Sequence, residues 1–218
     1  MTDDEPYVLH GYYRSSAAFR VRIALALKGV TATQVAHHLR HGEHRGEAFR
    51  ALNPQGLVPA LETPDGLLTQ SVAIIEYLDE TLPGAALLPA DAAGRVRVRS
   101  LAAIVACDVH PIDNLRVLQY LRREFACDEA AVARWYNHWI ALGFDAIEQR
   151  LAAEPQTGLF MHGDTPTMAD VCLIPQVVNA GNYALDMTPY TLIRGIFDRA
   201  MALPAFAEAH PQRQPDAE

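Results

Sequence analysis

The strongest constraint on this fold is a change of pattern along the chain. Over residues 7–81, short apolar runs alternate with helical periods, whereas from residue 95 onward only helical periods remain. Tyr7-Val8-Leu9-His10 reads as a strand, and residues 16–28 read as a helix stopped by Gly29. A second strand is predicted over 33–39, a short helix over 47–52 and a third strand over 57–62. The turn Pro64-Asp65-Gly66 leads into Leu67-Leu68-Thr69 as a hairpin partner. A helix over 71–81 ends before Pro83-Gly84. The helical crossover between the first two strands requires parallel pairing, and the tight Asp-Gly turn requires antiparallel pairing.

The predicted order β-α-β-α-β-β-α therefore gives a mixed four-stranded sheet in a thioredoxin-like arrangement. The fold class expected is α/β followed by all-α, with a thioredoxin-like domain over 1–89 and an all-helical domain over 90–218. The boundary is expected at Leu88-Pro89-Ala90-Asp91. In the second half helices are predicted over 95–109, interrupted near Pro111 and resumed to 123, then over 128–152, 168–182 and 190–202. In the longest, Val132, Trp135, Trp139, Leu142 and Ala146 form one apolar stripe. The polar tail from Pro211 is expected to fray.

The 218 residues allow two small domains, each with its own core. A formal net charge of −8 argues against a nucleic-acid partner, although local arginines can still hold an anionic ligand. The acidic start Met1-Thr2-Asp3-Asp4-Glu5-Pro6 does not resemble an export signal, and no run approaches the length of a membrane span. Cys107, Cys127 and Cys172 form no CxxC pair, which suits a reducing cytoplasm, and are expected to serve packing.

Five segments carry candidate chemistry. Pro59 at the opening of a strand is either an edge proline or a cis proline at a bend; in the latter case Val58 offers its backbone to an extended peptide. Gln70-Ser71 opens a helix: Ser71 is a suitable N-cap, and the same helix start can take an α-amino-acid carboxylate. Ser15 and Ser16 precede the first helix, where they either cap it or, together with its N-terminus, favour a bound thiolate. Arg14 lies just outside, placed to meet an anion. His37, His38, His41 and His44 cluster in a turn-like stretch with no Cys to complete a shell. His44 is expected to bond a ligand carboxylate rather than a metal. His110, Asn114 and Arg116 gather at a helix interruption, and are either solvated or turned to a cleft. Thr167-Met168-Ala169-Asp170 is a capping box with Asp at its fourth position, read as structural.

These residues together resemble the zeta class of glutathione transferases, the maleylacetoacetate isomerases, across residues 7–211. The most specific match is the serine pair leading into Arg20-Val21-Arg22-Ile23-Ala24-Leu25. It is supported by Asn53-Pro54-Gln55-Gly56-Leu57-Val58-Pro59, Gln70-Ser71 and Ala169-Asp170 with Pro175-Gln176. Leu87-Leu88-Pro89-Ala90-Asp91 and residues 108–114 are similar to the bacterial maleylpyruvate isomerase branch.

The resemblance implies glutathione as cofactor, paired at Val58 beside Pro59 and at Gln70 and Ser71, with His44, His110 and Asn114 as further contacts. It implies a thiolate held near Ser15 and Ser16 that adds to a maleyl double bond, allows rotation and is eliminated to leave the fumaryl isomer. Arg14 and Arg116 would hold a small dicarboxylate substrate and stabilise the developing enolate. A homodimer in the cytoplasm is implied as well. Three positions depart from the family pattern: Ala17 and Phe19 replace its Cys and Trp, and Asn182 stands where an Arg is common. The loss of that charge keeps open a general transferase acting on small electrophiles such as α-haloacids. A non-catalytic thioredoxin-like module is a third reading, disfavoured by the presence of both serines and Gln70-Ser71.

Overall fold

The structure, a computed structural model, describes residues 6–218. They form two compact units. One holds the described residues up to Leu87 together with Leu203–Glu218, and the other holds Leu88–Ala202.

The first unit contains β1 (Val8–Gly11), α1 (Ser16–Leu27), β2 (Thr33–Ala36), α2 (Glu47–Leu52), β3 (Ala60–Thr63), β4 (Gly66–Thr69) and α3 (Ser71–Thr81). Strand order is β2-β1-β3-β4. β1 and β2 pair in parallel, as a helical crossover demands, while β1–β3 and β3–β4 are antiparallel. Leu9, Ala60 and Leu61 from the sheet are buried, as are Phe19 and Ile23 of α1 and Ile74, Ile75 and Leu78 of α3. Lys28, at the end of α1, donates to Asp79 of α3 at 2.7 Å and to the Ala85 carbonyl at 2.9 Å, locking the two helices together.

Two strands are shorter than the apolar runs suggest. The β3 ladder starts at Ala60 rather than at residue 57, because Pro59 has no N–H to contribute. β2 ends at Ala36. His37 N–H still donates to the Gly11 carbonyl, but His38 N–H turns to the Glu43 carboxylate.

The tail departs more from expectation. Residues 203–218 pack on the first unit through α10 (Pro204–Ala207), with Phe206 fully buried and Gln214 nearly so. Hydrophilic composition from Pro211 did not produce fraying, because these polar groups find partners: Gln214 donates to the Glu208 and His210 carbonyls and accepts from Gln34.

In the second unit α4 (Ala92–Ala103) is capped by Asp91, whose carboxylate accepts from Gly94 N–H at 2.7 Å. It continues through a π-helical stretch, Ile104–Val109, into α5 (His110–Asp113). The chain breaks at Asn114, not at Pro111. Asn114 is extended and caps α6 (Leu115–Glu124). The long α7 (Glu129–Ala153), α8 (Met168–Ala180) and α9 (Thr191–Met201) complete the unit. The apolar stripe assigned to α7 is rotated from its expected place. Val132, Tyr136, Ile140, Phe144, Ile147 and Leu151 are buried, whereas Leu142 is 49% exposed. Both stripes satisfy helical spacing; close approach selects one. A Cβ at Gly143 would lie 2.4 Å from Val109, so α7 meets the π-helical stretch at its glycine. The cysteines divide: Cys172 is buried, Cys127 is half-buried and Cys107 is exposed, so packing accounts for only the first. No helix among the described residues is long and apolar enough to cross a membrane.

Candidate active site

The sheet topology brings the candidate segments of the first unit to one end. Gly11 closes β1 and pairs with Ala36, which closes β2; Ala60 opens β3 and pairs with both His10 and Thr69, which closes β4. The turn before Ser15, the loop holding His44, the approach to Val58-Pro59 and the start of α3 therefore all leave the sheet at the same end of its strands. Their distance in sequence is no obstacle.

Ser15 is the N-cap of α1, and its hydroxyl oxygen accepts from Ala18 N–H at 3.2 Å. A serine accepting through a lone pair keeps its O–H as a donor, so capping and ligand binding are not exclusive here. Ser16 is the first helical residue, and both serines are buried. The first turn of α1 carries no acidic side chain, leaving the positive end of its dipole unopposed. Arg14, by contrast, is exposed.

The peptide bond between Val58 and Pro59 is cis. Its approach is fixed by Asn53, which donates to the Leu57 carbonyl at 2.7 Å and accepts from Gln55 N–H at 3.2 Å. Gly56 has φ of 59°, and a Cβ there would lie 3.0 Å from the His44 carbonyl oxygen. The loop thus lies directly against the short 3₁₀ turn Glu43–Arg45 that carries His44. His44 is buried, burial lowers its pKa, and its Nδ1 has no hydrogen-bond partner. It is a neutral imidazole with unused capacity.

At the start of α3 the expected cap is reassigned. Gln70 occupies the cap position, with φ of 69° and ψ of 108°, and Ser71 is the first helical residue. Ser71 makes no cap bond because its hydroxyl accepts instead from Arg20 Nη1 at 3.3 Å, beneath the helix start. Gln70 donates to Gln55 at 2.9 Å, tying this corner to the Val58 approach. No side chain caps α3, so its first N–H groups remain open to an anion. Arg20 and Asn53 support this site; both stand within the matched motifs, but only the structure gives them these roles.

Family comparison agrees with this arrangement. Residues 9–86 match the family described as Glutathione S-transferase, N-terminal domain, and residues 129–208 match Glutathione S-transferase, C-terminal domain. A maleylpyruvate isomerase of Ralstonia is 54% identical over 209 residues, covering 96% of this chain and 99% of that protein. A solved holo structure of a maleylpyruvate isomerase, a bacterial glutathione S-transferase of the zeta class, superposes with a TM-score of 0.95 at 53% identity. It covers 97% of this chain and 100% of that one. The chain belongs to the zeta class of glutathione transferases. A maleylacetoacetate isomerase of Methylobacterium extorquens, solved with malonate and glutathione bound, has a TM-score of 0.94 at 42% identity, covering 97% and 99% of the two chains.

The helical unit of this transferase carries the remaining candidates. Asn114 is engaged as the cap of α6: its Oδ1 accepts from Val117 N–H at 3.2 Å and its amide donates to the Pro111 carbonyl at 2.8 Å. His110 opens α5 and is half-buried, while Arg116 is exposed in the first turn of α6. Arg14 and Arg116 form no ion pair with any described residue. Asn182 is exposed in the 3₁₀ turn Gly181–Tyr183. Between His110 and Asn114, Asp113 is buried with neither carboxylate oxygen hydrogen-bonded, and burial raises its pKa to about 8. No local pattern in the sequence marks the burial of this group.

Proposed function

We propose that this chain is a glutathione-dependent cis–trans isomerase converting a maleyl keto acid, maleylpyruvate or maleylacetoacetate, to its fumaryl isomer. The observation that carries the reading is the convergence of Ser15, Val58 and the uncapped start of α3 at one end of the sheet, with an unpartnered His44 nitrogen beside them. That set fits the tripeptide. The α3 N–H groups and Gln70-Ser71 match its γ-glutamyl carboxylate, the Val58 backbone beside Pro59 matches its central peptide, and His44 matches a further polar group. His110 and Asn114 are proposed as additional contacts; Asn114 keeps a spare N–H and lone pair after capping.

Glutathione supplies the sulfur nucleophile. The protein's part is to hold that sulfur ionised and to bind a dianion. Ser15 O–H donates toward the thiolate, Ser16 lies beside it, and the positive end of α1 lowers the cost of the charge. Arg14 and Arg116 neutralise substrate carboxylates, and a cation near the keto group stabilises charge that develops there during addition. Isomerisation is favoured over α-haloacid conjugation because the close relatives named above are isomerases. A homodimer in the cytoplasm is part of the proposal, and size-exclusion chromatography tests the dimer.

The test follows the ultraviolet absorbance of maleylpyruvate and of maleylacetoacetate with and without glutathione, while free thiol is titrated. Glutathione-dependent conversion at constant thiol is expected. Conversion that consumes thiol in step with substrate identifies a conjugating transferase, and no conversion rejects the assignment.

A further inference from the structure

The turn that presents Arg14 and Ser15 is held through the backbone of Tyr12, Tyr13 and Ser15. Tyr12 carbonyl accepts from Ser15 N–H at 2.9 Å, closing the turn. Tyr13 N–H donates to the Asp216 carboxylate at 2.8 Å, and Tyr13 carbonyl accepts from Arg22 Nη2 at 3.2 Å. Arg22 in turn donates through Nε to the Ala209 carbonyl at 3.0 Å, so one buried guanidinium bridges the turn to the tail. Burial lowers the pKa of Arg22 to about 10, and the Asp216 charge opposes that fall, so the arginine is charged near neutrality. Tyr12 adds a side-chain link: its hydroxyl meets His38 Nε2 at 3.1 Å, and the same nitrogen lies 2.9 Å from the Glu218 carboxylate. Phe19 of α1 packs edge-on against His210, with the Arg22 guanidinium over its ring.

None of these tail residues belongs to the ligand-binding set described above, yet Asp216 holds Tyr13 directly, and Ala209 and Glu218 reach Tyr13 and Tyr12 through Arg22 and His38. We propose that Asp216 and Arg22 are positioning residues: the tail clamps the Tyr12–Ser15 turn so that the Ser15 hydroxyl and the start of α1 meet the bound sulfur in a fixed geometry. This inference rests on the isomerase reading for the identity of that sulfur. Physically, a hydroxyl stabilises a thiolate only within a narrow range of distance and angle. A turn at a strand end, left with an unpaired Tyr13 N–H, would sample arrangements in which the hydroxyl faces elsewhere. A carboxylate acceptor and a guanidinium donor on opposite sides of one residue remove that freedom.

The experiment uses the full-length chain as wild type, Asp216→Ala and Asp216→Asn. Amide hydrogen exchange of Tyr13 and Ser15 reads the clamp, and the pH titration of thiolate absorbance for bound glutathione reads its consequence. For Asp216→Ala, exchange at both amides should accelerate about tenfold or more. The thiol pKa should rise by about one unit, which lowers kcat about tenfold below that pKa and leaves KM for glutathione within about twofold. Asp216→Asn retains an oxygen that accepts from Tyr13 N–H and should recover most of both shifts. Melting temperature within a few degrees of wild type in both variants establishes that folding is intact. Unchanged exchange in Asp216→Ala overturns the clamp. Faster exchange with an unchanged thiol pKa overturns its positioning role. If wild type shows no thiolate signal with glutathione, the isomerase reading falls and the positioning role with it, while the exchange arm still decides whether the clamp exists.

Discussion

Replacing Asp113 with Asn tests whether the buried carboxyl at the end of α5 is protonated in the folded protein. Asp113 is 5% exposed, and neither oxygen has a hydrogen-bond partner. Burial moves its pKa from the ordinary 3.8 to about 8. Because the folded-state pKa is the higher one, the folded protein binds the extra proton. Its contribution to stability is fully present below about pH 3.8 and is lost as pH rises to about 8. Each pH unit within that window costs about 1.4 kcal/mol, so by pH 7 the loss is about 4 kcal/mol. Asparagine does not titrate and escapes that loss. Its own unpaired amide costs about 1 kcal/mol more than a neutral carboxyl. Asp113→Asn should therefore be slightly less stable than wild type near pH 4 and more stable by about 3 kcal/mol near pH 7. Urea unfolding of both proteins at about pH 4, 5.5 and 7, analysed as the difference between them at each pH, cancels every other titrating group. A difference that does not change across this range would show that the carboxyl ionises normally in the folded state, and would refute the reasoning from burial.

Three further outcomes follow from the geometry. Ser15→Ala removes the cap of α1, at a cost of about 1 kcal/mol in chemical denaturation, together with the hydroxyl donor; the Ser15→Ala/Ser16→Ala double variant should lose about 100-fold in kcat, and wild-type turnover from it would end the thiolate proposal. Arg116→Ala should raise KM for the dianionic substrate about 10-fold or more with glutathione KM unchanged, since Arg116 is exposed and pairs with no described carboxylate; equal shifts in both constants would remove it from the substrate site. Asp170→Ala should destabilise by about 3 kcal/mol or more in urea, because its fully buried carboxylate accepts from Met161 N–H, Thr167 N–H and the Thr167 hydroxyl; a loss under about 1 kcal/mol would contradict its role as the anchor of α8.

Asp170 also illustrates what local sequence conveys well. A capping box is a four-residue pattern whose partners are neighbours, so Thr167 and Asp170 could be paired by inspection. The same holds for Ser15 ahead of α1 and for the Asp65-Gly66 hairpin. The sense of pairing, β1 with β2 and β3 with β4, followed from two local facts, a helical crossover and a tight turn, because each permits only one sense; the placement of β3 beside β1 did not. The serine pair, Val58-Pro59 and Gln70-Ser71 were all readable as candidates, since each is a residue type set at an element boundary.

What lay outside the sequence depends on contacts between segments far apart in the chain. Ser71 looked like a cap, but its hydroxyl is taken by Arg20, 51 residues earlier. The α7 stripe had two solutions at equal spacing, and Gly143 against Val109 selected between them. Arg97 stands among alternating arginines and valines with nothing local to mark it, yet it is buried and donates to Glu154, Thr157 and the Met161 carbonyl, fixing the loop ahead of α8. The tail read as solvated because composition counts polar groups without their partners. Asp216 meets Tyr13 203 residues earlier, a pairing that periodicity cannot encode. The sequence by itself determined the elements, the sense of the local strand pairings and the chemical alphabet of the site, because those are governed by steric preference and spacing over a few residues. The tertiary structure alone decided which polar groups are satisfied and which stay available, because a hydrogen bond is a matter of about 3 Å in space and chain separation places no limit on it.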